Sequence, residues 1–211
     1  MIAVVDYGMG NLRSVVKGLE KVGVMAEVTS DPAAVAAADA VVLPGVGAFG
    51  MAMDHLRQAR LDTAITDAIA AGKPFLGICL GLQLLFSESE EFGPVPGLGV
   101  FPGRVVRFFP DGAPEGVKIP HMGWNSLEMQ VPTPVLAEIP TGTYVYFVHS
   151  YYVAPEDPSI TATSTEYGGF RFTSSVAKDN VFACQFHPEK SGTLGLRMLK
   201  NFGEMVARVR A

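Results

Sequence analysis

A cysteine between two glycines is the residue of this chain best placed for nucleophilic chemistry. Cys79 lies in the segment 77–81, GICLG, after the apolar run 73–76 and before the predicted helix 82–86. An apolar strand, a sharp glycine-flanked turn and a helix form a nucleophile elbow, which lifts the thiol out of the sheet. The amide after Cys79 and the helix N-terminus then face any anion that forms, and a helix N-terminus favours thiolate over thiol. The alternative is a buried structural cysteine in a parallel strand.

His187 has the sequence context of a base for this thiol. A cysteine nucleophile needs a base, and the base needs an orienting group. His187 precedes Pro188, and a residue before proline is pushed into an extended conformation, so it should not be helical. Residues two apart on an extended backbone project to the same side, so Glu189 can reach the imidazole that His187 offers to Cys79. The spacing predicts a Cys79–His187–Glu189 triad at a strand end.

The other histidines are weaker candidates for the base. His55 lies on a predicted helix and is expected to be half-exposed, whereas His121 and His149 lie at strand ends, where either could line a site. A metal site has less support, because no HExxH and no paired CxxC occur, and His187 with Glu189 are too few ligands. We therefore expect no metal and no cofactor.

A glycine-dense loop is the candidate for the other side of the anion site. The loop 44–50, PGVGAFG, follows the predicted strand 40–43, and open parallel sheets place their sites at the carboxyl ends of strands. Because no side chains intervene at Gly45 and Gly47, the backbone around Val46 can approach a small ligand closely. A thiolate adding to a carbonyl creates an oxyanion that needs such donors. A phosphate cradle is disfavoured, because neither GxxxxGK[ST] nor GxGxxG occurs, and a plain turn into a helix is the other alternative.

Composition indicates a globular protein of one domain over residues 1–211. The chain is 48% hydrophobic and 18% charged, and its net charge of −5 without a basic stripe gives no reason to bind nucleic acid or an acidic membrane surface. No positively charged leader precedes the first strand, and the longest uncharged apolar stretch, 74–87, is too short to cross a bilayer. Two cysteines fit a reducing compartment, and Cys184 is interpreted as a core residue too far from Cys79 for a disulfide. We expect a cytoplasmic protein.

The order of apolar segments predicts an α/β fold. In the first half strands alternate with helices, with strands expected at 2–6, 26–29, 40–43 and 74–78 and helices at 12–22, 33–38 and 61–71. This pattern predicts parallel strands joined by right-handed helical crossovers. From residue 99 strands dominate, at 100–108, 117–120, 143–149, 161–164, 170–177 and 181–186, before a final helix over 192–210. We expect a mostly parallel open sheet with helices on both faces and an antiparallel extension.

Three separate stretches resemble the class I (triad) glutamine amidotransferases and occur in that family's order. They are 44–47 (PGVG), 77–83 (GICLGLQ) and 185–191 (QFHPEKS). Within the class, three more stretches are similar to glutaminase subunits that serve histidine biosynthesis, namely 6–12 (DYGMGNL), 119–125 (IPHMGWN) and 146–151 (YFVHSY). The resemblance spans essentially the whole chain and implies a flavodoxin-like fold. It also implies hydrolysis of L-glutamine to glutamate and ammonia through a cysteinyl-glutamyl thioester.

The same resemblance implies roles for particular residues around the thiol. Leu80 would contribute an oxyanion amide, and Gly45 to Gly47 would form the other side of that pocket. Gln83 and the backbone of Ser150 and Tyr151 would hold the amino-acid part of glutamine. No cofactor is implied.

A protein partner is implied as well. In the histidine pathway the ammonia passes to a cyclase subunit with a (β/α)8-barrel fold, which converts the ribulosyl nucleotide PRFAR into imidazole glycerol phosphate and AICAR. A chain of 211 residues has no room for a second, acceptor-binding domain, so ammonia would escape to water unless another protein docks over the site. An exposed Trp with Tyr and Lys is a plausible interface, although Trp124 could instead cap the core. The predicted interface residues are Asn11, Trp124, Asn125, Tyr146 and Lys190.

Two other functions stay open at this point. The chain could be a glutaminase for anthranilate or pyridoxal phosphate synthesis, which the stretches 119–125 and 146–151 disfavour. It could also be a flavodoxin-like stress or redox sensor with a cysteine elbow. A sensor has no need of Glu189 beside His187, or of Gln83.

Overall fold

A computed structural model describes residues 1–210; the predicted domain, 1–211, ends on Ala211, which lies outside them. The strands are β1 (Ile2–Val5), β2 (Ala26–Thr29), β3 (Ala40–Gly45), β4 (Phe75–Cys79), β5 (Phe86–Ser89), β6 (Val95–Pro96), β7 (Phe101–Arg107), β8 (His121–Ser126), β9 (Glu128–Met129), β10 (Tyr144–His149), β11 (Tyr151–Pro155), β12 (Thr161–Tyr167), β13 (Phe170–Lys178) and β14 (Val181–Cys184). The α-helices are α1 (Leu12–Lys21), α2 (Pro32–Ala37), α3 (Phe49–Gln58), α4 (Leu61–Ala70), α5 (Leu80–Gln83) and α6 (Gly192–Arg210).

One large sheet holds most strands, in the order β2-β1-β3-β4-β14-β13-β11-β7-β5-β6. From β2 to β14 all neighbours are parallel, and from β14 through β13 and β11 to β7 they are antiparallel. Strands β12 and β9 extend the sheet from β13, and β8 with β10 forms a separate antiparallel hairpin. The predicted mostly parallel α/β sheet with an antiparallel extension is confirmed.

The core lies in two layers, one on each face of the sheet. One layer packs α2, α3 and α4 against the sheet through residues such as Val35, Leu56 and Ile65. The other packs α1 and α6 against the opposite face, with Leu19 and Phe202 fully buried. Helices therefore cover both faces of β1, β3, β4 and β14, which explains why these four strands are apolar and buried on both sides.

Register brings the candidate site to one edge of the sheet. Gly45, at the end of β3, pairs with Cys79, at the end of β4. On the other side of β4, Cys184 at the end of β14 pairs with Ile78, so the segment that follows β14 emerges beside Cys79. The carboxyl ends of three adjacent parallel strands thus deliver the thiol, the glycine loop and the HPE segment to the same place.

Two predicted elements differ from the structure. The helix expected over 82–86 is the four-residue α5, because Phe86 is fully buried and pairs with Phe101 in the sheet as the first residue of β5. The segment 117–120 is not a strand, since Pro120 has no N–H for a sheet ladder, and β8 begins directly after it. Among residues 1–210, no helix has the length and apolar character needed to cross a membrane.

Candidate active site

The backbone at Cys79 has the shape of a nucleophile elbow. Its φ of 56° and ψ of −109° lie in a region that side-chain-bearing residues rarely adopt, at the junction of β4 and α5. A Cβ at Gly81 would lie 1.9 Å from the Leu43 carbonyl oxygen, and one at Gly77 would lie 2.9 Å from both the Ala183 Cβ and the Gly81 oxygen. Only glycine fits at these two positions, so the flanking glycines let the turn pack tightly against the neighbouring strands.

His187 and Glu189 form a buried pair beside this thiol. His187 is extended, as the following proline predicts, and its backbone N–H donates to the Tyr146 carbonyl at 3.0 Å. The ring Nδ1 donates to Glu189 Oε1 at 2.8 Å, and both side chains are almost wholly buried. Since Nδ1 carries the proton on that side, Nε2 is the atom left for chemistry, and it is buried without a hydrogen-bond partner among residues 1–210.

The charges around His187 favour its protonated form. Burial alone lowers the pKa of the ring, but the Cys79 sulfur and the Glu189 carboxylate oppose burial and raise that pKa to about 9. The sulfur is close enough to influence the ring in this way, although no hydrogen bond of regular geometry joins the two side chains. The arrangement therefore favours an imidazolium beside a sulfur, which is the state needed to protonate a leaving group.

A pocket of about 340 Å³ opens directly on the thiol. This volume suits a small metabolite. The wall combines the glycine loop, the elbow and the connection between β10 and β11 with one carboxylate. Its lining residues are Val46, Gly47, Cys79, Leu80, Gln83, Glu91, Val148, His149, Ser150 and Tyr151.

Two hydrogen-bonded glutamines lie beside the thiol. Gln83 is buried, and its Nε2 donates to the Tyr151 carbonyl at 3.1 Å and to Gln185 Oε1 at 3.0 Å. Gln185 is fully buried, and its Nε2 lies 3.8 Å from the Cys79 sulfur. The amide nitrogen of Gln83 therefore ties the elbow to the β10–β11 connection.

The chain matches the family model of class-I glutamine amidotransferases over residues 3–206. It belongs to this family. It is 58% identical to the imidazole glycerol phosphate synthase subunit HisH of Syntrophotalea carbinolica, over 97% of this chain and 100% of that protein. The subunit of the same name from Geobacter sulfurreducens is 54% identical over 97% and 98%. A solved structure described as a glutamine amidotransferase matches the fold with a TM-score of 0.75 at 19% identity, over 98% of this chain and 100% of the other.

The glycine loop of this glutamine amidotransferase packs closely against the elbow. A Cβ at Gly45 would lie 2.3 Å from the Tyr7 hydroxyl and 2.9 Å from the Leu80 Cβ, so no side chain can stand there. The Tyr7 hydroxyl is buried without a hydrogen-bond partner among the described residues, and burial, with the Cys79 charge second, raises its pKa well above the ordinary value. Tyr7 is therefore a neutral phenol under the loop, a placement that nothing in its sequence context indicates.

The remaining histidines and the second cysteine lie outside the triad. The ring of His55 bonds to the Tyr7 carbonyl at 3.0 Å, and the rings of His121 and His149 bond to each other at 2.9 Å. Cys184 is fully buried and is not in a disulfide, and burial, followed by the charges of Glu189 and Cys79, raises the pKa of its thiol. Cys184 therefore lies in the core, as predicted.

Of the five predicted interface residues, the structure brings Trp124, Tyr146 and Lys190 together. The Trp124 and Tyr146 rings are 6.3 Å apart, and Lys190 Nζ lies 5.9 Å from the centre of the Tyr146 ring. Asn11 caps α1 by accepting a hydrogen bond from the Ser14 backbone at 3.4 Å. Asn125 is partly buried, and its amide donates to the Glu166 carbonyl at 2.8 Å.

Three further residues that the sequence analysis did not assign to the site lie at it. Glu91 lines the pocket while its Oε2 accepts the Phe49 backbone N–H at 2.7 Å. The Val148 carbonyl accepts from the Cys79 sulfur at 3.9 Å. Gln185 had a usable signal, because it precedes His187 by two in an extended segment and therefore shares its side.

Proposed function

We propose that this chain is the glutaminase subunit of an imidazole glycerol phosphate synthase. It hydrolyses L-glutamine and passes the ammonia to a cyclase subunit with a (β/α)8-barrel fold, in the cytoplasm. The observation that carries the proposal is the elbow thiol beside a buried His187–Glu189 pair, open to a pocket of metabolite size. Family membership and the names of relatives that match over nearly their whole length support it.

The geometry supports a two-step hydrolysis. Cys79 gives its thiol proton to His187 Nε2, the sulfur attacks the side-chain amide carbon of glutamine, and the amide oxygen takes up negative charge. His187 gives its Nε2 proton to the departing nitrogen, which leaves as ammonia, and a thioester remains. His187 then takes a proton from water, the water oxygen attacks the thioester, and glutamate is released as the sulfur regains its proton.

Backbone donors and one carboxylate complete the assignment. We assign the oxyanion to the amide of Leu80 and to the amides of the Gly45–Gly47 loop, which pairs in register with Cys79. The pocket wall at Ser150 and Tyr151 would hold the amino-acid part of glutamine together with Gln83. The Glu91 carboxylate at that wall is complementary to the ammonium group of the substrate.

An exposed apolar face next to the thiol supports the proposal that a partner protein binds there. Strands β8 and β10 alternate buried and exposed residues, and the outer face carries Met122, Trp124 and Tyr144, exposed by 65%, 55% and 61%. The Tyr146 ring on that face lies 6.4 Å from the His187 ring, so a protein covering it would also cover the route by which ammonia leaves. Large exposed aromatic and Met side chains in one patch are typical of a protein interface.

We assign the predicted interface residues to this contact. Trp124, Tyr146 and Lys190 would touch the cyclase directly from the hairpin and the HPEK segment. Asn11 would do so from the start of α1, and Asn125 would support the hairpin from its inner side.

The test is reconstitution with candidate cyclases. With cyclase and PRFAR present, Cys79→Ala should abolish glutamine-dependent synthesis of imidazole glycerol phosphate and leave ammonia-dependent synthesis intact. Cys184→Ala is the matched control and should retain both. Loss of both activities in Cys79→Ala would contradict a division of labour between two subunits. No glutamine-dependent product with any cyclase would refute the assignment to this synthase.

The dependence of glutamine hydrolysis on the cyclase can be measured separately. If the Gly45–Gly47 amides complete the oxyanion site only in the complex, the isolated chain should hydrolyse glutamine poorly and the cyclase with its nucleotide should accelerate it. Full turnover without any partner would refute this coupling.

A further inference from the structure

Two buried histidines next to the site take no part in the chemistry above. His121 and His149 are directly opposite each other in the β8–β10 hairpin, on its inner face. They are 3% and 6% exposed, so neither ring is available to solvent or to a partner. Burying two ionisable rings is unfavourable unless their polar atoms are hydrogen-bonded.

Their hydrogen bonds have one consistent direction. His149 Nδ1 lies 2.8 Å from the Tyr151 carbonyl, which can only accept, so Nδ1 carries the proton and Nε2 accepts. His121 Nδ1, 2.9 Å away, must then donate to that Nε2. His121 Nε2 in turn accepts from the Asn125 amide at 3.3 Å, and the same amide donates to the Glu166 carbonyl at 2.8 Å. Each ring is thus a neutral tautomer of defined orientation.

The surroundings keep both rings neutral and fixed. The His121 ring stacks on Phe147 and Tyr167 at 4.8 and 4.1 Å, and the His149 ring packs on Phe108 and Phe172. Burial lowers the pKa of His121 to about 4. Burial lowers the pKa of His149 to about 3 despite its bond to the Tyr151 carbonyl, and the charges of His121 and His187 act in the same direction as burial.

The chain of bonds ends on the wall of the glutamine pocket. The Tyr151 carbonyl accepts from His149 and also from Gln83 at 3.1 Å, so both of its lone pairs are occupied. On the same segment the Ser150 carbonyl accepts the Phe108 N–H at 3.1 Å, and the Val148 carbonyl faces the Cys79 sulfur. These bonds set the direction of successive peptide groups over residues 148–151.

We propose that His149, supported by His121, is a positioning residue for glutamine binding. It fixes the Tyr151 carbonyl, and with it the orientation of the backbone groups over 148–151 that face the substrate. The inference rests on the proposed function, because it takes the ligand of this pocket to be glutamine. His149 and His121 thus strengthen the binding of glutamine, and proton transfer is carried out by His187.

Two substitutions at His149 distinguish the effects of its two hydrogen bonds, one to Tyr151 and one to His121. His149→Asn places an amide nitrogen near the former Nδ1 and can still donate to Tyr151, whereas His149→Gln places its amide near the former Nε2 and retains only the His121 side. In the complex with the cyclase, we expect His149→Gln to raise the KM for glutamine by about fivefold to tenfold, with kcat changed less than about threefold. His149→Asn should remain within about threefold of wild type in both constants.

Different outcomes would refute the positioning role of His149 and the proposed function. Equal KM values in wild type and both His149 variants, or a fall confined to kcat, would overturn the positioning role alone. Absence of glutamine turnover by the wild-type complex would refute the proposed function and this inference together. If far-UV circular dichroism shows His149→Gln to be unfolded, His121→Phe replaces it, because Phe retains the stacking and removes the donor to His149. That variant should raise KM by about threefold or more with kcat retained, and an unchanged KM would overturn the inference.

Discussion

Replacing the Glu189 carboxylate with an amide should change how stability depends on pH. The Glu189 side chain is completely buried, and its Oε1 lies 2.8 Å from His187 Nδ1. Burial works against a charged ring at this position, yet Cys79 and Glu189 together raise the pKa of His187 from 6.5 to about 9. Glu189→Gln retains the shape of the side chain and an oxygen that can accept from Nδ1, and it removes only the negative charge.

The size and sign of the effect follow from that pKa. A pKa of about 9 in the folded protein, against about 6.5 in the unfolded chain, corresponds to about 3 kcal/mol of stability. This contribution is fully present below pH 6.5 and is lost as the pH rises from 6.5 to 9, because over that range the folded protein releases its extra proton. With Gln at position 189, burial is opposed by the sulfur alone, and we expect the pKa of His187 to fall back toward its ordinary value.

Urea unfolding between about pH 6 and pH 9.5, followed by far-UV circular dichroism, measures this difference. The gap in unfolding free energy between wild type and Glu189→Gln should shrink by about 2 to 3 kcal/mol from the lower to the higher pH. Glu204→Gln is the control, because Glu204 is an exposed carboxylate 3.7 Å from Lys200, and its profile should run parallel to wild type. A Glu189→Gln profile that also runs parallel to wild type would refute the electrostatic coupling of this pair.

Three further outcomes are expected. Gly81→Ala should lower the unfolding free energy by about 3 kcal/mol or more, because its Cβ would lie 1.9 Å from a carbonyl oxygen of β3. Gly50→Ala, whose Cβ would meet only Val95 methyl groups at 3.6 and 3.9 Å, should be neutral or stabilising in the same measurement, and equal losses would contradict the steric argument. Iodoacetamide should alkylate Cys79 alone in the folded protein, as read by peptide mass spectrometry, since Cys184 is fully buried with a raised thiol pKa; modification of both at similar rates would show otherwise. Burial lowers the pKa of His149 to about 3, so stability present above pH 6.5 is lost as the pH falls toward 3, and wild type should lose stability on acidification more steeply than His149→Asn; coincident acid-unfolding curves would argue against it.

Local sequence was sufficient for the elements that carry the chemistry. The GICLG segment predicted an elbow because only glycine allows so tight a turn, and the structure shows the neighbouring carbonyl that excludes any larger residue at Gly81. The proline after His187 predicted an extended backbone, and the spacing of two predicted the bond between His187 and Glu189. These inferences succeed because each depends on covalent geometry over a few residues.

Local patterns failed where long-range pairing decides the outcome. A helix was expected over 82–86, yet the helix ends at Gln83, and Phe86 is fully buried and pairs with Phe101 of β7. The hairpin residue His121 looked like a rival base, and its register opposite His149 turned it into part of a buried hydrogen-bond chain.

The sequence by itself determined that a thiol, an imidazole and a carboxylate would be presented on a strand–turn–helix and on an extended HPE segment, because backbone sterics act between near neighbours. Only the tertiary structure decided which side chains surround them. Glu91 lines the pocket, Tyr7 packs under the glycine loop, Gln185 lies beside the thiol and His149 bonds to the Tyr151 carbonyl. The order of the strands and the register of the hairpin bring them there. Strand order and register depend on the burial of side chains over the whole sheet, and this total burial cannot be inferred from any short stretch of residues.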